Sequence, residues 1–310
     1  MDKLRSQVIL YDEKNGKKID WKEKKIQNLK LSKIYERVDI RKSERIKSCG
    51  TELVFSRNED NNSLKLKRAN FCKVRLCNVC SWRRALKNYA HLRKAIEAIE
   101  SDRKREYSLL TLTVKNCEYG ELNNTINALN QGINRFNNYK RYKDYVVGTY
   151  RALEITRNRD TDTFHVHFHV LQAHNKKAYY SNYIKKADFI QMWKKAMRLD
   201  YDPIVDVRKI KAIRGDNILR EVTKYICKSN EYIIDDKELS VKLVRILDKA
   251  LANRRFNSWT GIFKYWHKRL DLDKDKEDLV HIEQNLDEDG LTKEEVYVWC
   301  DGYQNYIRTK

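Results

Sequence analysis

The sequence predicts an α+β chain whose centre is an antiparallel sheet, and three observations carry that prediction. Two strand-like runs face each other across a short polar loop, a third alternating run stands upstream, and segments with helical spacing lie around all three. The upstream run YSLLTLTV, from Tyr107 to Val114, puts Leu110, Leu112 and Val114 on one face and Thr111 and Thr113 on the other. YRALEIT (Tyr150 to Thr156) and FHVHFHVL (Phe164 to Leu171) flank RNRDTD, which has the length and polarity of a hairpin connection. AIEAIE, ADFIQMWKKAM and NILREVTKYICK repeat apolar residues at three- and four-residue intervals, as amphipathic helices do.

Around this centre the 310 residues fall into four stretches. Residues 1–48 read as a charged, partly helical extension, and 49–90 as a cysteine-rich basic segment suited to DNA contact. Residues 91–230 hold the strands and helices of the core. Residues 231–310 form a mixed region, basic at KALANRRF and acidic at DLDKDKEDL, that is a candidate for nucleic-acid or partner contacts. Pro203 is the only proline and glycines number nine, so no flexible linker marks a boundary. Lys+Arg of 65 against Asp+Glu of 44 leaves a net charge of +21, which favours a polyanionic partner because neutralised phosphates release counterions. No apolar run reaches the roughly 18 residues of a membrane span, and MDKLRSQVILYDEKNGKK has no apolar signal core. Seven cysteines in such a chain point to metal or free thiols, and the expected compartment is the reducing cytoplasm.

His165, His167 and His169 recur at period two, so a strand sets all three on one face while Val166, Phe168 and Val170 pack on the other. A hairpin symmetric about Asp160 and Thr161 brings Glu154 opposite His167, on the histidine face. Leu153 and Ile155 then join the apolar face, so one register satisfies core and ligands together. Imidazoles with a carboxylate suit a divalent cation; two of the histidines ligate and the third orients or binds substrate.

In NILREVTKYICKSN, helical spacing groups Glu221, Lys224, Tyr225 and Lys228 on one face and Leu219, Val222 and Ile226 on another. Among 19 tyrosines, one set between two lysines and a carboxylate is more informative, since lysines hold phosphate and a carboxylate accepts a proton; an ordinary Glu–Lys pair on a solvated helix face is the alternative. Cys72, Cys77 and Cys80 form C-x₄-C-x₂-C, with Cys49 able to supply a fourth thiolate for tetrahedral zinc. Reduced core cysteines and a redox pair are the alternatives. Arg75, Arg83 and Arg84, with Trp82, make this segment a candidate DNA contact. Cys117, Cys227 and Cys300 stand apart and are expected to pack in the core.

Taken together, LLTLTVKN (Leu109 to Asn116), HVHFHVL (His165 to Leu171) and EVTKYICK (Glu221 to Lys228) resemble the three motifs of the plasmid rolling-circle replication initiators, a branch of the HUH endonuclease superfamily. FCKVRLCNVCSWRRALK and WKKAMRLDYDPIVDVRKIK are similar to one subfamily, and the likeness runs from about Cys49 to Leu270. Val166 stands where the metal motif often has proline.

The resemblance implies an HUH core, ferredoxin- or RRM-like, with helices on one face of the sheet. It implies Mg²⁺ or Mn²⁺ on His167 and His169, with Glu154 or His165 completing the shell, and Tyr225 as the nucleophile that forms a 5′-phosphotyrosine. Glu221 matches the position of the base for the terminating cleavage, and Lys224 and Lys228 would steady phosphate charge. The implied partners are plasmid origin DNA, single-stranded at the nick, with host helicase and polymerase, and the protein a monomer or dimer in the bacterial cytoplasm. Tyr225 follows the histidine motif, unlike the order common in mobilisation relaxases, and single-tyrosine HUH transposases are usually shorter. A non-catalytic zinc-containing DNA-binding regulator would fit the charge and cysteines but leave the histidine strand without a purpose.

Overall fold

A computed structural model describes residues 9–14, 17–211, 213, 216–224, 226–274, 278–282 and 292–309. It contains two compact units: residues 1–87, 232–245 and 277–310 form the first, and 88–231 with 246–276 the second.

The elements run in chain order β1 (Glu13–Lys14), β2 (Lys17–Lys18), α1 (Trp21–Tyr35), α2 (Ile40–Ser48), β3 (Glu52–Asn58), β4 (Leu64–Ala69), α3 (Asn78–Asp102) and β5 (Glu106–Thr113). There follow α4 (Leu122–Asn137), α5 (Lys140–Tyr145), β6 (Gly148–Asn158), β7 (Thr163–His174), α6 (Lys176–Ser181), α7 (Lys186–Met197), β8 (Val205–Ile210) and α8 (Asp216–Thr223). The chain continues with α9 (Lys237–Leu251), β9 (Asn257–Thr260), α10 (Gly261–Arg269), β10 (Thr292–Cys300) and β11 (Asn305–Arg308).

The first unit is built on the antiparallel sheet β11-β10-β3-β4. Asp20 and Asp39 start α1 and α2 by accepting from the main-chain N–H of Glu23 and Lys42. Trp21 packs edge-on against Phe55 and Trp82, filling the space between helix and sheet. The charged 1–48 stretch, the cysteine-rich segment up to Lys87 and part of the 231–310 region thus share one compact unit.

The second unit carries the sheet β8-β5-β7-β6-β9, antiparallel throughout. The expected hairpin is present in the expected register, with Asn158 opposite Thr163 and Glu154 opposite His167. Its four-residue turn is closed by Asn158 Oδ1, which accepts from the N–H groups of Asp160 and Thr161. Asp162 takes a positive φ of 49°, which aspartate tolerates better than most residues.

Helices cover both faces of this sheet. On the apolar face Arg151 lies over the Phe168 ring and bonds to Asn130 of α4, while Phe136 of α4 packs against Phe189 and Trp193 of α7. The other face divides in two. At one end Tyr107, Leu109, Tyr150, Leu171 and Ala173 form a core with Leu92, Ile96 and Ile99 of α3, Leu219 and Val222 of α8 and Phe263 of α10. At the other end the same strands present Thr111, Thr113, Glu154, His167 and His169. Apolar packing thus clamps one end of the strands and holds the polar end in register. Gly261 (φ 51°) starts α10 so close to the sheet that a Cβ would lie 2.0 Å from Val147 O.

Candidate metal centre and nucleophile segment

Three strands supply the centre. Thr113, His167 and Glu154 stand in one row across β5, β7 and β6, and Thr111, His169 and Ala152 in the next. Ala152 adds little bulk opposite His169, which lets Glu154 reach both imidazoles diagonally. Glu154 Oε2 lies 3.2 Å from His167 Nε2 and 2.9 Å from His169 Nε2, and the two nitrogens are 3.3 Å apart. Donors bound to one small divalent ion at about 2.1 Å sit roughly 3 Å from each other, so these residues fit such an ion. All three are buried.

Thr111 Oγ1 stands 3.2 Å from His169 Nδ1, a contact that orients the ring and leaves Nε2 turned to Glu154. Among the described residues nothing bonds the buried His167 Nδ1. His165 is not part of the convergence. Its Nδ1 lies 2.9 Å from Asn116 Oδ1, and burial followed by repulsion from His167 lowers its pKa. Of the two expected third ligands, the cluster therefore gathers Glu154. Burial pushes the Glu154 carboxyl up, but hydrogen bonds from His167, His169 and Lys224 outweigh it and hold the group well below the usual carboxylate range.

Lys224 Nζ is 2.9 Å from Glu154 Oε2. The helix expected over NILREVTKYICK is shorter than its periodicity suggests, because α8 ends at Thr223. Thr223 bonds back to Leu219 O, and Ile226 O accepts the N–H of Ile155, so the chain leaves the helix to join β6. Glu221 and Lys224 consequently diverge: Glu221 accepts a 2.6 Å bond from Arg208 on β8, while Lys224 turns to Glu154. Lys228 is exposed, and Tyr225 lies outside the described residues.

In the first unit, Cys49, Cys72, Cys77 and Cys80 converge. Their Sγ atoms stand 3.5 Å (Cys49–Cys80 and Cys49–Cys77) and 3.8 Å (Cys72–Cys80) apart, close to the roughly 3.8 Å edge of a tetrahedron with 2.3 Å metal–sulfur bonds. Main-chain N–H groups of Cys72 and Lys73 point at Cys49 and Cys80, and Asn28 Nδ2 at Cys77. Lys25, buried in α1, donates to Lys47 O, Cys49 O and Thr51 Oγ1. Burial pulls its pKa down to about 8 against the attraction of the thiols.

The arginines expected to touch DNA behave differently. Arg83 is buried, its Nε and Nη2 donating to Leu279 O and Val280 O. Arg84, half-buried, donates to Val74 O and Lys73 O, and Arg75 is half-buried with its own carbonyl taking a bond from Ser81. Of the three isolated cysteines, Cys227 is buried while Cys117 and Cys300 are only half-buried. Sequence reasoning missed Thr111, Lys25 and Asn28; the threonine alternation of LTLT was the one signal, and the other two act across distant chain.

Residues 63–307 match the replication protein family. The chain is 37% identical over 320 residues to "Protein rep" of Bacillus amyloliquefaciens, covering 94% of each, and 35% identical over 319 residues to "Protein rep" of Streptococcus pneumoniae, covering 99% of this chain and 98% of the other. A "Protein rep" of Lactiplantibacillus plantarum is 33% identical over 97% of this chain. No solved structure matches. Nor is any helix among the described residues long and apolar enough to cross a membrane. The chain belongs to the replication protein family, as the motifs around its histidines and its Glu221–Lys228 segment imply.

Proposed function

We propose that this protein cuts and rejoins one strand of plasmid origin DNA to start and end rolling-circle replication. The convergence of Glu154, His167 and His169 at the polar end of the sheet carries the reading. Mg²⁺ or Mn²⁺ bound there supplies Lewis-acid polarisation of the scissile phosphate. Tyr225 Oη releases its proton to solvent and attacks phosphorus, the P–O3′ bond breaks, and O3′ takes up a proton from solvent. The upstream end is then a 3′-hydroxyl that a host polymerase extends, while the downstream 5′-phosphate stays on the tyrosine. The contact of Lys224, its neighbour in sequence, with Glu154 supports an approach of this segment to the centre. Lys224 and Lys228 steady phosphate charge, and Glu221, held by Arg208, takes a proton from the water or hydroxyl of the closing cleavage. Zinc is the ion we propose for the four cysteines, since a closed all-thiolate tetrahedron is its structural signature.

The test is a single-stranded oligonucleotide spanning the nick of the plasmid's own origin, incubated with the protein and Mn²⁺. The expected product is a protein–DNA band that survives denaturation, needs the metal, and vanishes in Tyr225→Phe. A band that persists in Tyr225→Phe overturns the assignment of the nucleophile.

A further inference from the structure

We infer that the loop entering β8, with Tyr201, Ile204 and the neighbouring Lys115, is a seat for an unstacked nucleotide beside the scissile phosphate; the inference rests on the nicking reading above. The register leads to it. Val205 pairs with Leu112, so one residue earlier in the chain Ile204 comes level with Thr113. Thr113 in turn pairs with His167, and His167 with Glu154. Ile204 thus extends the ligand row, two strand spacings or about 10 Å from His167.

Ile204 is 76% exposed, more than any other large apolar side chain among the described residues. The main chain presenting it is pinned. Thr113 Oγ1 donates to Ile204 O at 2.8 Å, Pro203 just before it is buried, and Tyr201 Oη accepts the Lys115 N–H at 2.9 Å. Lys115 Nζ also stands 4.1 Å from the centre of the Tyr201 ring. An aliphatic surface, a half-buried aromatic ring and an ammonium are therefore held rigidly on the rim of the metal centre.

That set matches one nucleotide. The ring and Ile204 offer surfaces to a base face, which only a single strand can present, and Lys115 offers charge to the adjoining phosphate. Two acids beside the loop are already paired, Asp202 with Lys194 at 2.8 Å and Asp206 with Arg208 at 3.7 Å; Asp200 is exposed. The chain's charge of +21 favours nucleic acid over a protein surface as the occupant.

The experiment uses the full chain with Tyr225→Phe as background, so that binding is read without cleavage. Fluorescence anisotropy follows an origin oligonucleotide, intact or with one abasic site walked outward from the nick. Ile204→Ala is expected to weaken the intact strand about tenfold, the loss expected when part of one aliphatic side chain no longer covers a base face. At the position the seat serves, the abasic strand binds Ile204→Ala and its parent alike, because both changes remove one contact. Tyr201→Phe, which keeps the ring, loses less than Tyr201→Ala, and Lys115→Ala weakens intact and abasic strands equally. Unchanged affinity in Ile204→Ala, or an abasic penalty that persists in full at every position, overturns the seat. The covalent band in Tyr225-containing protein is scored separately. Its absence with the binding pattern intact removes the nicking reading and leaves the seat standing.

Discussion

The histidine centre and the cysteine cluster gather comparable numbers of metal donors but are built to opposite ends. The four thiols close on themselves, capped by main-chain N–H groups and Asn28, with Lys25 sealing the adjacent carbonyls. The histidine centre brings only three donors, two nitrogens and a carboxylate, and its neighbour Lys224 is partly exposed. A closed shell of four thiolates suits a structural ion, whereas two imidazoles and one carboxylate leave coordination positions open. Counting donors and asking what shields them separates the two roles before any ion is considered.

The largest expected effect breaks the closed side. Cys77→Ser should lose bound zinc and destabilise the first unit by on the order of 5 kcal/mol or more, read by metal analysis and by proteolysis within residues 1–87. Mn²⁺ binding at the histidine centre should survive in that variant. Full retention of zinc would remove the cluster from the comparison.

A third kind of imidazole on the same strand sharpens it. His174 is fully buried, its Nε2 2.8 Å from Ser108 Oγ and its Nδ1 facing Tyr145 O, and burial lowers its pKa to about 4. The folded value lies below the unfolded 6.5, so the native state binds the proton more weakly. Its contribution is whole above pH 6.5 and is lost as pH falls toward 4, about 3 kcal/mol in all. Denaturant titrations across that window should show a shallower pH slope in His174→Gln; an identical slope would exclude the residue.

The smallest effect concerns the open side. Thr111→Val should lower Mn²⁺ affinity about tenfold with stability nearly unchanged, because it removes only the contact that orients His169. Electron paramagnetic resonance of free Mn²⁺ during titration measures it. Wild-type affinity would show that the ring needs no such partner.

The hairpin was legible because its alternation leaves one register in which Val166, Phe168 and Val170 are covered and Glu154 meets the histidines. The antiparallel sheet followed from the same runs. The end of α8 was not legible: apolar spacing continues to Ile226, and only the bond from Ile155 N–H, 71 residues away by number, draws that carbonyl to the sheet. The burial of Arg83 was hidden for a related reason, since composition counts a charge but not the carbonyls that accept from it. Lys25 and Asn28 carry no local signal at all; their roles exist only once distant cysteines are folded beneath them.

The symmetric turn at residues 159–162 also limits how this gene can change in length. Its four residues fix a pairing in which positions on the two strands sum to a constant. A single codon gained or lost within either strand would exchange His165, His167 and His169 with Val166, Phe168 and Val170, placing imidazoles in the core and bare aliphatics on the surface. Changes confined to the tip, residues 159–162, lie outside the paired positions and would spare the register. Length variation in lineages of this protein should therefore collect at that tip and be purged from the strands beside it.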